Sequence, residues 1–251
     1  MGTLVAAEQA ALANEDRPED LDFPMTFLGR CDCEDSELNG NGGPIVPMPS
    51  SDLTNHELFK FFYDDFGLNE REGTLLMGAH AVAVAHRANI GFGNVNREDG
   101  WVEDAAEYIL DNRYYPSVLE PMWHQEFLNN EQFYDGMYKG IPDRYQWYID
   151  PAGVGPIMLN VDISLVRDLD DFIIKDQNDV QGLTLCRFTE EAEFDITPDI
   201  SGVIIDHVPV CPHDVSSKEL VEYYANEPEQ FLYDFSEALD KMVTNGYRHL
   251  Y

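Results

Sequence analysis

Glu72-Gly73-Thr74-Leu75-Leu76-Met77-Gly78-Ala79-His80-Ala81-Val82 is the stretch on which the reading of this chain turns. Asn69 and Glu72 have the spacing of a capping box, in which each side chain satisfies an otherwise orphaned backbone N–H at a helix start. From there Leu75, Leu76, Ala79, Val82, Ala83 and His86 recur at helical spacing, so the pattern predicts one long helix carrying an apolar stripe and two histidines. A single histidine on such a stripe reads first as a satisfied core residue. Whether His80 is more than that depends on what surrounds it.

Working outward, Thr54 and Glu57 form a second capping-box pair, followed by Phe59, Phe62, Tyr63 and Phe66 at helical spacing and by Gly67 as a stop. Met1 to Asn14 is rich in alanine and predicts a helix with little of its own to bury. The segment from Glu15 to Pro49 is acidic and then crowded with Gly, Pro and Asn, the composition of an irregular surface connection. Gly91 to Pro156 reads as loop-rich and aromatic, with short helices expected near Val102–Leu110 and Tyr115–Met122. Asp168 to Val215 breaks the pattern with acidic clusters and β-branched runs such as Val203-Ile204-Ile205, and reads as an insertion. Ser216 with Glu219 and Asn226 with Glu229 are placed to open two last helices, with Pro228 in the first turn of the second and Gly246 at its end.

The 251 residues, 44% apolar and 12% aromatic, suffice for one domain with a sizeable core. No run approaches the ~20 consecutive apolar residues of a membrane span. Forty-eight acidic against fifteen basic side chains give a net charge of −33, which repels nucleic-acid backbones and anionic lipid surfaces, so neither is an expected partner. The acidity and the even cysteine count lean toward an extracellular setting. Cys186 and Cys211 are expected to lie close enough to bridge. Cys31 and Cys33, one residue apart, are not expected to pair with each other, and as a C-x-C pair they make a poor metal site.

The quoted stretch resembles the proximal haem-ligand segment of the plant, fungal and bacterial haem peroxidase superfamily, in which Leu-Met-Gly-Ala-His leads to the iron ligand; Gly73 stands where an aliphatic residue is usual. Asp111-Asn112-Arg113-Tyr114-Tyr115 is similar to the element that comes next in these enzymes. Met158-Leu159-Asn160-Val161-Asp162-Ile163-Ser164-Leu165 resembles the later segment whose Asp accepts a hydrogen bond from the ligand's Nδ1–H, and 219–238 resembles the closing helix pair. The resemblance covers most of residues 1–168 and 216–251 and is nearest to the cytochrome c peroxidase and ascorbate peroxidase branch.

It implies a mainly α fold, one haem-peroxidase-like domain over 1–251 with about 169–215 unmatched, and haem b with its iron held by His80. Asp162 would orient the imidazole and strengthen it as a donor; taken alone, Asp162 reads equally as a helix cap. Met77, Ala79, Val82, Ala83, Leu159 and Val161 would line the proximal haem face, with Pro47 or Pro49 over the ring edge, and His86 would bond a propionate. Trp101 stands for that branch's redox-active tryptophan if the loop 92–100 carries extra residues; strict spacing puts Asn96 there, and Trp101 then only packs. Ala81, where calcium-binding members carry Ser or Thr, argues against calcium. The implied activity is reduction of hydrogen peroxide at the expense of a small reductant. The superfamily's distal Arg-x-x-aromatic-His is absent, since no Arg here has a His four residues later, so a distal segment upstream is expected and this chain by itself is expected to be inactive. The rival reading is a non-catalytic haem-binding or extracellular structural protein.

Overall fold

The structure, a computed structural model, describes residues 2–23, 49–94, 99–103, 105, 108–120, 122–130, 141–149, 155–185 and 214–245. The architecture is mainly α, as expected, with small antiparallel sheets added. Helix α1 spans Gly2–Leu12 and α2 spans Asn55–Phe66. The start of α2 is closed by Glu57, whose carboxylate accepts the Thr54 N–H at 3.0 Å, and its end by Gly67 at φ 66°, a left-handed turn that glycine makes without strain. Helix α3, Glu70–Met77, opens with both arms of the Asn69/Glu72 capping box in place, at 3.0 and 2.8 Å.

The long helix predicted through His86 is not continuous. After Met77 the chain tightens into a 3-10 turn over Gly78–Val82, extends at Ala83, and enters strand β1, Val84–Ala85, which pairs with β2, Asp99–Gly100. The cause lies far along the chain. A Cβ on Gly78 would fall 2.7 Å from both the Phe231 ring and the Tyr115 hydroxyl, so the backbone is drawn against two other helices there. Strand pairing with 99–100 then captures the residues that helix propensity alone would have kept. His86 consequently sits beyond the His80 turn, exposed, at the start of the short helix α4, Arg87–Ile90.

Helix α5 covers Tyr114–Val118, overlapping the Tyr115–Met122 segment expected to be helical but starting one residue earlier and ending four earlier; the expected helix near 102–110 falls partly outside the described residues. Helix α6 is the single turn Asn160–Ile163, and α7 (Ser217–Asn226) and α8 (Pro228–Thr244) close the fold. Pro228 occupies the first turn of α8, where its missing N–H costs nothing. Both helices open close to where they were expected, α7 with Ser216 at its N-cap and α8 at Pro228, two residues past Asn226. Ser216 makes no side-chain cap bond, and Asn226 ends α7 instead, donating to the Glu222 carbonyl at 2.7 Å. Gly246 lies outside the described residues.

Phe231, Leu232, Phe235 and Leu239 of α8 bury against Leu75 and Leu76 of α3 in one continuous core that also takes in Val221 and Tyr224 of α7. Burying that apolar surface is worth roughly 25 cal/mol per Å², far more than the surface ion pairs Arg71–Asp234 and Lys241–Glu72 that flank it. Gly73, the departure from the usual aliphatic, has its reason in the α2–α3 contact: a Cβ there would sit 2.8 Å from the Phe62 ring and 3.1 Å from Phe59.

The aromatic stretch expected to be mostly loop holds a sheet. Strand β3 (His124–Leu128) pairs antiparallel with β4 (Arg144–Tyr148), and β4 with β5 (Ile157–Met158). Strand β4 is buried on both faces from Tyr145 to Tyr148, so it lacks the alternation by which a strand announces itself. Within the insertion, β6 (Ile173–Lys175) and β7 (Gln181–Thr184) form a hairpin whose turn is held by Asp176, which accepts the N–H groups of Asn178 and Val180 at 2.7 and 3.0 Å. All four cysteines lie outside the described residues, and with them the expected bridge between Cys186 and Cys211.

Candidate functional site

Four hydrogen-bond donors converge on the carboxylate of Asp162, which is fully buried. His80 Nδ1 lies 2.8 Å from Oδ1, although 82 positions separate the two residues. The Tyr114 hydroxyl donates to the same oxygen at 2.7 Å, while the Trp101 indole N–H and the Leu159 backbone N–H donate to Oδ2 at 2.7 and 2.8 Å. Since indole and amide can only donate, Asp162 acts as an acceptor toward this cluster and the His80 ring proton belongs on Nδ1. Burial first, and then the charge of Asp162, push the Tyr114 phenol well above its ordinary value, so it remains a donor.

Each of these side chains is delivered by local structure. Strand β5 ends at Met158, Leu159 is extended, and Asp162 is the third residue of α6, where its bond to the Leu159 N–H caps the helix. The two roles open to Asp162 in the sequence, helix cap and imidazole partner, are both present, one on each oxygen. Trp101 comes directly after the β1–β2 pair, whose register, Val84 opposite Gly100, returns the chain to His80. A Cβ at Gly100 would come within 2.1 Å of Ala105, so only glycine fits that return. The indole then stacks on the imidazole with centroids 4.5 Å apart and planes inclined by 31°. Asn96, the position that strict spacing selects, lies outside the described residues. Helix α5 is fixed by Asn112, which donates to the last carbonyls of α7 at 2.9 and 3.0 Å, and it presents Tyr114 edge-on to His80 at 5.6 Å.

The His80 side chain keeps 26% of its surface, and its Nε2 hydrogen-bonds to no described residue. Met77, Leu159 and Val161 are buried nearby in the core, and Ala79, Val82 and Ala83 are partly buried against it. His86 is exposed at the N-cap of α4; Pro47 lies outside the described residues. Tyr114 belongs to a matched sequence element, but motif reading gives it no place in the site. The available signal is that a tyrosine buried in a core must find a partner for its hydroxyl.

The model of the peroxidase family matches residues 3–172, more than half of the chain, and the chain belongs to that family, within the haem peroxidase superfamily. The match supports a peroxidase-type oxidoreductase function, with peroxide and a reductant as the substrates that the family implies. Among the described residues no helix is long and apolar enough to cross a membrane.

Proposed function

We propose that this protein binds haem b through His80 Nε2 and takes part in reducing hydrogen peroxide at the expense of a small reductant, in the manner of the cytochrome c peroxidase and ascorbate peroxidase branch. The observation that carries this reading is the 2.8 Å bond between His80 Nδ1 and Asp162. The residues fit the group. An imidazole fixed at one nitrogen and partly exposed at the other, set among small side chains at Ala79, Val82 and Ala83, suits a metal that brings its own planar ring of ligands. Haem, when bound, supplies the two-electron chemistry that turns peroxide into water.

The chain's own contribution is orientation and electron push. Asp162 holds the ring proton on Nδ1, which fixes the tautomer and makes Nε2 the stronger donor. The bond of Trp101 to the same carboxylate and its stacking on the imidazole support the branch assignment and the reading that its ring gives up an electron. A second reading, a haem-binding protein without turnover, is favoured by one observation: no arginine in the 251 residues has a histidine four positions later.

The experiment is a hemin titration of the chain monitored in the Soret band, beside a His80→Ala variant. A saturable high-spin ferric spectrum lost in the variant is the expected result, and identical titrations of the two proteins overturn the assignment. Peroxide turnover by the loaded protein then separates the two readings.

A further inference from the structure

Four tyrosines connect the buried site to the surface. Tyr114 meets His80 at 5.6 Å between ring centroids, Tyr115 lies 5.5 Å from Tyr114, Tyr224 lies 5.6 Å from Tyr115, and Tyr223 lies 5.1 Å from Tyr224. The first three tyrosines are fully buried, whereas Tyr223 is 44% exposed. We propose that Tyr114, Tyr115, Tyr224 and Tyr223 form an electron relay, with Tyr223 as a surface oxidation site for a phenol or aromatic amine too bulky to approach the buried centre. This inference rests on the haem reading above.

Rings in contact pass single electrons readily, because the rate of such transfer falls steeply with the gap between them. Oxidised phenols are strong acids, so each stop on a relay is eased by a base that takes the proton. Tyr224 has such a base in Asp234 at 2.8 Å, and Tyr114 passes the electron by ring contact. Burial raises Asp234, but hydrogen bonds from Arg71, Tyr224 and Gln230 outweigh it and hold the carboxyl below its ordinary value, so it is ionised and able to accept a proton. The Tyr115 hydroxyl faces the carbonyls of Thr74 and Leu75, at 3.3 Å, and this ring passes the electron by contact alone.

In each passage Tyr224 gives an electron inward and its proton to Asp234. It recovers both when Tyr223 supplies the next electron and Asp234 returns the proton. Tyr223 loses its own phenolic proton to water, and an outside donor restores it by giving up a hydrogen atom. Two passages deliver the two electrons that reduce one hydrogen peroxide to two waters, and two donor radicals result. The Arg71 guanidinium lies 5.9 Å from the Tyr223 ring centroid and the acidic Glu219 and Glu222 are neighbours along α7, so a neutral donor suits this spot of mixed charge.

The test uses the full chain loaded with hemin and treated with peroxide in the presence of a nitroso spin trap, with adducts located by peptide mass spectrometry. Adducts are expected at Tyr223. They should vanish in Tyr223→Phe and fall about tenfold or more in Tyr224→Phe, the effect of a barrier raised by ~1.4 kcal/mol, with the Soret band unchanged in both. Undiminished labelling of Tyr223 in Tyr224→Phe would show a diffusing oxidant and overturn the relay, as would adducts confined to Trp101 and Tyr114. Both outcomes leave the haem reading standing. If the parent and His80→Ala titrate alike with hemin, the haem reading falls and the relay falls with it.

Discussion

Replacing Asp162 by asparagine keeps the side chain's shape and removes its charge, and the surrounding donors dictate how the new amide must sit. Trp101 Nε1 and the Leu159 amide can only donate, so the asparagine oxygen must take the Oδ2 position facing them. Its NH2 group then replaces Oδ1 and points at His80 Nδ1 and the Tyr114 hydroxyl. The tyrosine can rotate its hydroxyl and accept. His80 can accept only by moving its ring proton to Nε2, the nitrogen that would ligate the iron under the proposed function.

Folding should change little, by ~2 kcal/mol or less, because the amide keeps hydrogen-bond partners at these sites while the weaker bonds are offset by sparing the cost of burying a charge. The effect on ligation has no such offset. Hydrogen-bonded partners of metal-ligating histidines are worth ~10–100-fold in metal affinity, or ~1.4–2.8 kcal/mol. Parent and Asp162→Asn are titrated with hemin at neutral pH, with urea unfolding of the ligand-free proteins measured in parallel. Weaker hemin binding at nearly constant stability is the expected result. Unchanged affinity with an unchanged urea midpoint would refute the tautomer argument.

Gly73→Ala gains ~1 kcal/mol of helix propensity but drives a methyl to 2.8 Å from the Phe62 ring, an overpacking cost of ~1–3 kcal/mol, so a net lowering of the urea midpoint is expected. Asp234 is held below its ordinary value in the fold, so its stabilisation is present above pH 3.8 and is lost as pH falls through the folded value. Asp234→Asn should therefore be less stable than the parent at pH 7, by ~1–3 kcal/mol, with the gap closing in unfolding curves taken below pH 3.8. Loaded with hemin, the 251-residue chain should oxidise a general phenol slowly, because it has no Arg with a His four positions later and such acid–base assistance is typically worth ~10²–10⁴ in rate; steady-state turnover beside free hemin measures this.

The pairing of His80 with Asp162 was legible because each lies in a short stretch whose residues keep a recognisable order, even with 82 positions between them. The helix starts at Thr54 and Asn69 were legible because capping is a local bargain between residues three apart. What failed was tertiary. The helix breaks at Gly78 because Phe231 arrives there from the far end of the chain, and nothing near Gly78 records that approach. Strand β4 was hidden by being buried on both faces. Trp101 could not be placed by counting residues, since the pairing of 84–85 with 99–100, and not the length of the loop between them, sets where the indole comes to rest.

The bond from the Leu159 amide to Asp162 joins the first turn of α6 to the imidazole through one side chain. Fraying of that turn and release of the ring are therefore a single opening event, and deuterium exchange at one backbone amide clocks both. Alignment of the imidazole is inherited from folding, so under the haem reading the ring would already be held before any prosthetic group arrived.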